Sequence, residues 1–172
     1  MKKLLIGLVL CLFLTACGTE SQPVIQENWV TLNADLADGG DFTLLTPSKW
    51  KFEQGVGMDS QVGTISGDGI TLQFDYGMYA GNPINDSELG EKLVAQNEVI
   101  DGLNAVIVTP KVSGDGVVAL YFESTGSAPK TVPVGDESFI LDEQHLLLFG
   151  ENLTAEQEAI VLQIFRTIKF QQ

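Results

Sequence analysis

Cysteine is scarce in this chain. There are two in 172 residues, Cys11 and Cys17, and both fall within the first 17 positions. The body of the protein therefore has no thiol for a disulfide framework, a cysteine nucleophile or a zinc–thiolate site, and an exported domain built this way must rely on its apolar core. Histidine is scarcer still, His145 alone. Basic side chains are few, nine against 23 acidic ones, for a formal net charge of −14. That excludes a nucleic-acid binder, which needs a basic footprint on phosphate. Apolar runs are short. The longest stretch, residues 4–14, is broken only by Gly7. At about 11 residues and 1.5 Å per residue it cannot cross roughly 30 Å of hydrocarbon.

What the chain does have is a 44% hydrophobic composition, which argues against global disorder, and a length that points to one domain. Lys2 and Lys3, the apolar run, and then small residues before Cys17 form the pattern of a secretory signal peptide.

Leu14-Thr15-Ala16-Cys17 at that depth resembles the lipobox of bacterial lipoproteins. The resemblance implies that the Cys17 thiol receives a diacylglyceryl group and that the chain is cut just before it. Two or three acyl chains on one cysteine give stable anchoring, whereas a single chain holds only marginally. Gly18 stands where lipoproteins retained in an inner membrane often carry Asp, so the resemblance implies an outer membrane in a cell that has two, and otherwise the outer face of the cytoplasmic membrane. Cleavage takes away two of the nine basic residues and none of the 23 acidic ones, moving the formal charge from −14 to −16. On this reading residues 1–16 are the signal, residues 17–40 the lipid-bearing cysteine and a polar tether, and residues 41–172 one α+β domain. Within the tether, Trp29, Val30 and Leu32 are candidates for an edge strand or a short helix.

From residue 41 onward the pattern is mostly β. Residues 42–45 read as a strand stopped at Pro47. Ile70, Leu72, Phe74 and Tyr76 alternate with Thr71, Gln73 and Asp75, the period of a half-buried strand. Asp68-Gly69, Asp101-Gly102 and Asp115-Gly116 are hairpin signals, because both residues tolerate positive φ. A turn centred on Asp68-Gly69 sets Ile65 opposite Leu72 and Gly63 opposite Phe74, and pairs Thr64 with Gln73 and Ser66 with Thr71. An aromatic ring over a cross-strand glycine covers bare backbone. The second hairpin joins residues 96–100 to 103–109, and the third joins that strand to residues 117–123. Residues 117–122 are apolar on both faces, so both faces require cover. A last strand lies within residues 139–149.

Two helices are expected. A short one follows Asn85-Asp86-Ser87, with Leu89 and Leu93 four apart. A longer one spans about residues 154–167, with Thr154 as cap, Gln157 at the reciprocal position and a stripe of Ile160, Val161, Ile164, Phe165 and Ile168. Glu156 and Glu158 suit its positive end, and Arg166 and Lys169 its negative end. Strands followed by a terminal amphipathic helix give an antiparallel sheet with helices packed on it.

Three stretches resemble the PsbP/Mog1-like group of α/β/α sandwich domains: the opening 42–50, the Asp101-Gly102 hairpin with its apolar strand, and the ending 164–170. Many members of that group are non-catalytic accessory or binding proteins, so the resemblance implies a fold and a leaning toward binding.

Candidate chemistry is sparse. A serine–histidine–aspartate arrangement would have to use His145, with Ser138, Asp136 and Asp142 near it in sequence but no nucleophile-elbow pattern. In a continuous strand His145 shares a face with Leu141, Leu147 and Phe149. Residues 55–63 and Asp75-Tyr76-Gly77 are the most distinctive local features, and Asp59, Asp75, Tyr76 and His145 are the candidate polar site. Gly67-Asp68-Gly69 lacks the following lysine of a phosphate cradle. No cofactor and no metal is implied. The expected partners are the membrane, through lipid on Cys17, and an envelope protein. The alternatives to a binding or accessory role are an envelope hydrolase using His145 or the Asp59/Asp75 pair, and a calcium-dependent adhesion module.

Overall fold

The computed structural model describes residues 28–37, 41–85, 91–114, 116–126, 130–134, 137–141 and 144–171, and of residues 130–141 the backbone only. Cys17 and the lipobox, Asp86 to Leu89, Asp115, Asp136 and Asp142 lie outside them, and Ser138 is placed by its backbone alone.

The described chain is α+β, predominantly antiparallel strand. A seven-stranded sheet has the order β3-β4-β5-β11-β8-β7-β6, formed by β3 (Lys51–Gln54), β4 (Gln61–Gly67), β5 (Ile70–Gly77), β6 (Leu93–Ile100), β7 (Leu103–Pro110), β8 (Val117–Phe122) and β11 (His145–Glu151). A three-stranded sheet sets β2 (Phe42–Pro47) between β1 (Trp29–Ala34) and β12 (Lys169–Phe170). A hairpin of β9 (Lys130–Val134) and β10 (Glu137–Leu141) is inserted between β8 and β11. Among the described residues α1 (Ala155–Phe165) is the one α-helix, and a 3-10 turn covers Pro83–Asn85.

Local chemistry explains the best-defined elements. The β4–β5 register is Ile65 opposite Leu72 and Gly63 opposite Phe74, with Thr64–Gln73 and Ser66–Thr71 beside them, as the turn predicts. Asp68 and Gly69 have φ of 51° and 76°, and Asp101 and Gly102 have 52° and 78°, so both turns use the left-handed pair that matches strand twist. At α1 the Thr154 hydroxyl accepts from the Gln157 amide at 3.3 Å, and Gln157 Oε1 accepts from the Thr154 amide at 2.9 Å, closing the capping box.

One core lies between the large sheet and the layer made by α1 and the small sheet. It includes Phe42, Leu44, Leu72, Phe74, Leu120, Leu148, Val161, Ile164 and Phe165. A second cluster on the opposite face gathers Leu93, Val108, Val117 and Ala119, with Ile84, Leu147 and Phe149 packed against it. All six residues of β8 are buried, as its two apolar faces require, and the connection carrying Ile84 supplies part of the second cover.

Several expectations change. Trp29, Val30 and Leu32 take the edge-strand alternative: β1 pairs with β2, and Ala34 and Leu36 are buried, so residues 29–36 belong to the folded body rather than to the tether. Leu93 opens β6 opposite Pro110 instead of closing a helix. Burial against Val108 and a full ladder to β7 outweigh a single i,i+4 pair. The β7–β8 connection is the six-residue loop 111–116 rather than a two-residue turn at Asp115-Gly116, since Val108 pairs with Ala119. The last strand is two strands, so Leu141 and His145 lie on different elements.

The sheet has two distinct ends. At the base are the Asp68-Gly69 turn, the start of α1, where Gln157 Nε2 donates to the Gly69 carbonyl at 3.4 Å, and loop 111–116. At the tip are loop 55–60, the Asp101-Gly102 turn and the start of β11. Trp29 lies at the base. It sits opposite Pro47, whose carbonyl accepts from the Trp50 amide at 3.5 Å, and Trp50 Nε1 donates to Asp68 at 3.0 Å.

Candidate functional site

The candidate residues fall near the tip, but they do not converge. Asp75 and Tyr76 are consecutive in a strand and so point to opposite faces. Tyr76 is 1% exposed in the main core, where its hydroxyl and that of Thr125 are 3.3 Å apart. Asp75 lies on the other face, opposite Leu147 in β11 and Val62 in β4, with Oδ1 buried and without a hydrogen-bond partner. His145 is on that same face one row nearer the tip, opposite Gly77. Asp59 sits in loop 55–60, which touches the end of β5: a Cβ built on Gly77 would lie 3.0 Å from Ser60 Cβ and 3.6 Å from the Asp59 carbonyl.

His145 is held by its neighbours on β8. Nδ1 donates to the Glu123 carbonyl at 2.5 Å, and the Tyr121 hydroxyl is 3.4 Å from the same nitrogen. The two rings stack at 6.0 Å between centroids and 24° between planes. Donation from Nδ1 places the neutral ring's lone pair on Nε2. The nearby Ser124 hydroxyl accepts from the Gly126 amide at 3.4 Å. The arrangement ties the start of β11 to the end of β8. A cavity of about 340 Å³ lies beside it, lined by Gly102, Leu103, Asn104, Glu123 and Ser124. Among the described residues no three of His, Cys, Asp or Glu group to hold a metal ion.

A further set of tip residues escapes a search for polar chemistry. Val56 and Met58 in loop 55–60 are 99% and 103% exposed, and Met78 and Tyr79, just after β5, are 38% and 64% exposed. The contact of Ser60 with Gly77 brings these two segments together. The signal was in the sequence: apolar residues set between glycines, Val56 and Met58 beyond the exposed β3 and Met78 and Tyr79 beyond the buried β5.

No family model matches the chain, and no curated protein or solved structure is significantly similar to it. No helix among the described residues is long and apolar enough to cross a membrane.

Proposed function

We propose that this protein is a lipoprotein of the cell envelope, anchored through acyl chains on Cys17, whose domain serves in binding or accessory work rather than catalysis. The observation that carries the reading is Leu14-Thr15-Ala16-Cys17 after two lysines and a short apolar run. The position of the domain supports it. β1 begins at Trp29, twelve residues beyond Cys17, a reach of at most about 43 Å at ~3.6 Å per residue. A lipidated chain of this kind stands on the outer membrane where the cell has two, and on the outer face of the cytoplasmic membrane otherwise. The α/β/α sandwich of the PsbP/Mog1-like group is the finer fold proposed. The strand ending at Pro47 followed by buried Trp50, the Asp101-Gly102 hairpin, and the closing α1 and β12 support it. The binding role draws on the same resemblance and on the exposed apolar tip.

Cys17→Ala tests the anchor. In cell fractionation, the wild type is expected in the membrane pellet and solubilised only by detergent. The variant is expected either uncut or in the soluble fraction. An equal membrane yield of a correctly cut Cys17→Ala chain would refute the reading.

A further inference from the structure

We infer that the tip formed by loop 55–60 and the segment after β5 is a docking surface for a cationic, apolar-faced polypeptide. Val56, Met58, Met78 and Tyr79 stand exposed on two touching segments. Four apolar side chains exposed on two adjoining segments exceed the singly scattered ones that a surface ordinarily carries. Methionine adds to this, because its flexible, polarisable side chain adapts to varied apolar partners. The chain has three methionines, Met1 in the signal and Met58 and Met78 at the tip, so processing would leave methionine at the tip alone.

Charge decides the kind of occupant. Asp59 adjoins Met58, Asp75 lies two residues before Gly77, and the row Gly77–His145 continues to Glu123. Asp101, at the same end, keeps its carboxylate within 2.9 Å of the Phe170 amide. Lys49, Lys51, Lys92 and Lys111 lie at the opposite end, on the turn before β3, at its start, and beside β6 and β7 where these meet the base, while Lys169, exposed on β12 opposite Thr43, is the lysine at the tip end among the described side chains. Among the described side chains, Arg166 is already paired with Glu98 at 2.7 Å. An apolar centre with an acidic surround repels anionic lipid and nucleic acid and suits a lysine- or arginine-bearing partner. The described chain begins beside Trp29, at the base, the end opposite the tip.

The inference deepens the proposed binding role, and its test separates the tip from the anchor. The full lipidated chain, with ε-¹³C-methyl methionine, is placed in zwitterionic phosphatidylcholine vesicles, which lack the anionic headgroups that would compete for the probe, and titrated with an amphipathic lysine–leucine peptide. Both methyl resonances are expected to shift, with affinity reduced at least tenfold by Met58→Asp with Tyr79→Asp and unchanged by Val112→Asp at the base. A glutamate–leucine peptide is expected to leave both resonances in place. A headgroup-attached spin label is expected to leave both methyls sharp. Unmoved methyls, equal binding of the acidic peptide, equal loss in Val112→Asp, or broadening by the labelled lipid would overturn the docking surface. A chain that does not join the vesicles but shows the same shifts in solution would overturn the anchor and leave the tip supported.

Discussion

Single residues at two positions dictate how closely strands and rings approach. A Cβ on Gly63 would lie 2.3 Å from the Glu53 carbonyl and 2.5 Å from Phe74 Cε1, and Phe74 stacks on Phe52 at 5.4 Å between centroids. Gly67 repeats the device, with Trp50 Cδ1 only 2.2 Å from the position its Cβ would take. The first approach is legible in the sequence, because the Asp68-Gly69 turn fixes the register that sets Phe74 over Gly63. The second is not, because Trp50 reaches Gly67 through β3, whose pairing no local turn specifies. Gly63→Ala is expected to lower stability by about 1–3 kcal/mol, since backbone on one side and a packed ring on the other resist displacement. Urea unfolding checks this as a lower midpoint at unchanged slope. An unchanged midpoint would mean that the β3–β4–β5 register is wrong.

Elements are legible where pattern and turn chemistry agree. The β4–β5 and β6–β7 hairpins follow from alternation and Asp-Gly, and α1 follows from its cap and stripe. The β7–β8 connection is less legible because its order comes from a distant partner. Glu158 on α1 is 6% exposed and accepts from the Gly114 amide at 2.8 Å and from the Ser113 hydroxyl. The helix thus holds loop 111–116. A faint sign was available, since Glu158 falls on the face of Val161 and Phe165, three and seven residues on. Arg166 likewise does more than suit the end of α1. It donates to both carboxylate oxygens of Glu98, at 2.9 and 2.7 Å, and this bonding raises its pKa from an already high value. Glu158→Ala removes both acceptor oxygens, leaving the Gly114 amide and the Ser113 hydroxyl without them, and is expected to cost about 1–3 kcal/mol. Hydrogen exchange gives the specific readout: Gly114 and its neighbours should lose protection before the β4–β5 hairpin does. Uniform loss across the sheet would contradict the tie between helix and loop.

At the scale of the whole molecule the chain is asymmetric. The described chain begins at the base, where four lysines stand, and the exposed apolar segments with their acidic neighbours stand at the tip, with Lys169 on β12 at that same end. The sequence made the candidate residues visible, and the strand period already set Asp75 and Tyr76 apart, but the placement of Asp59 and His145 depended on long-range pairing. Alternation places Asp75 and Tyr76 on opposite faces, and Tyr76 is drawn into the core, so the four candidates share an end of the sheet without sharing a site. The functional reading depends most on the sulfur of Cys17. Intact-mass measurement of the protein purified from its own membranes in detergent tests that atom directly. The account predicts a chain beginning at Cys17 and heavier than its amino acids by two or three fatty acyl chains with their glyceryl link. A mass matching an unmodified cysteine, or a chain that still carries residues 1–16, would contradict it.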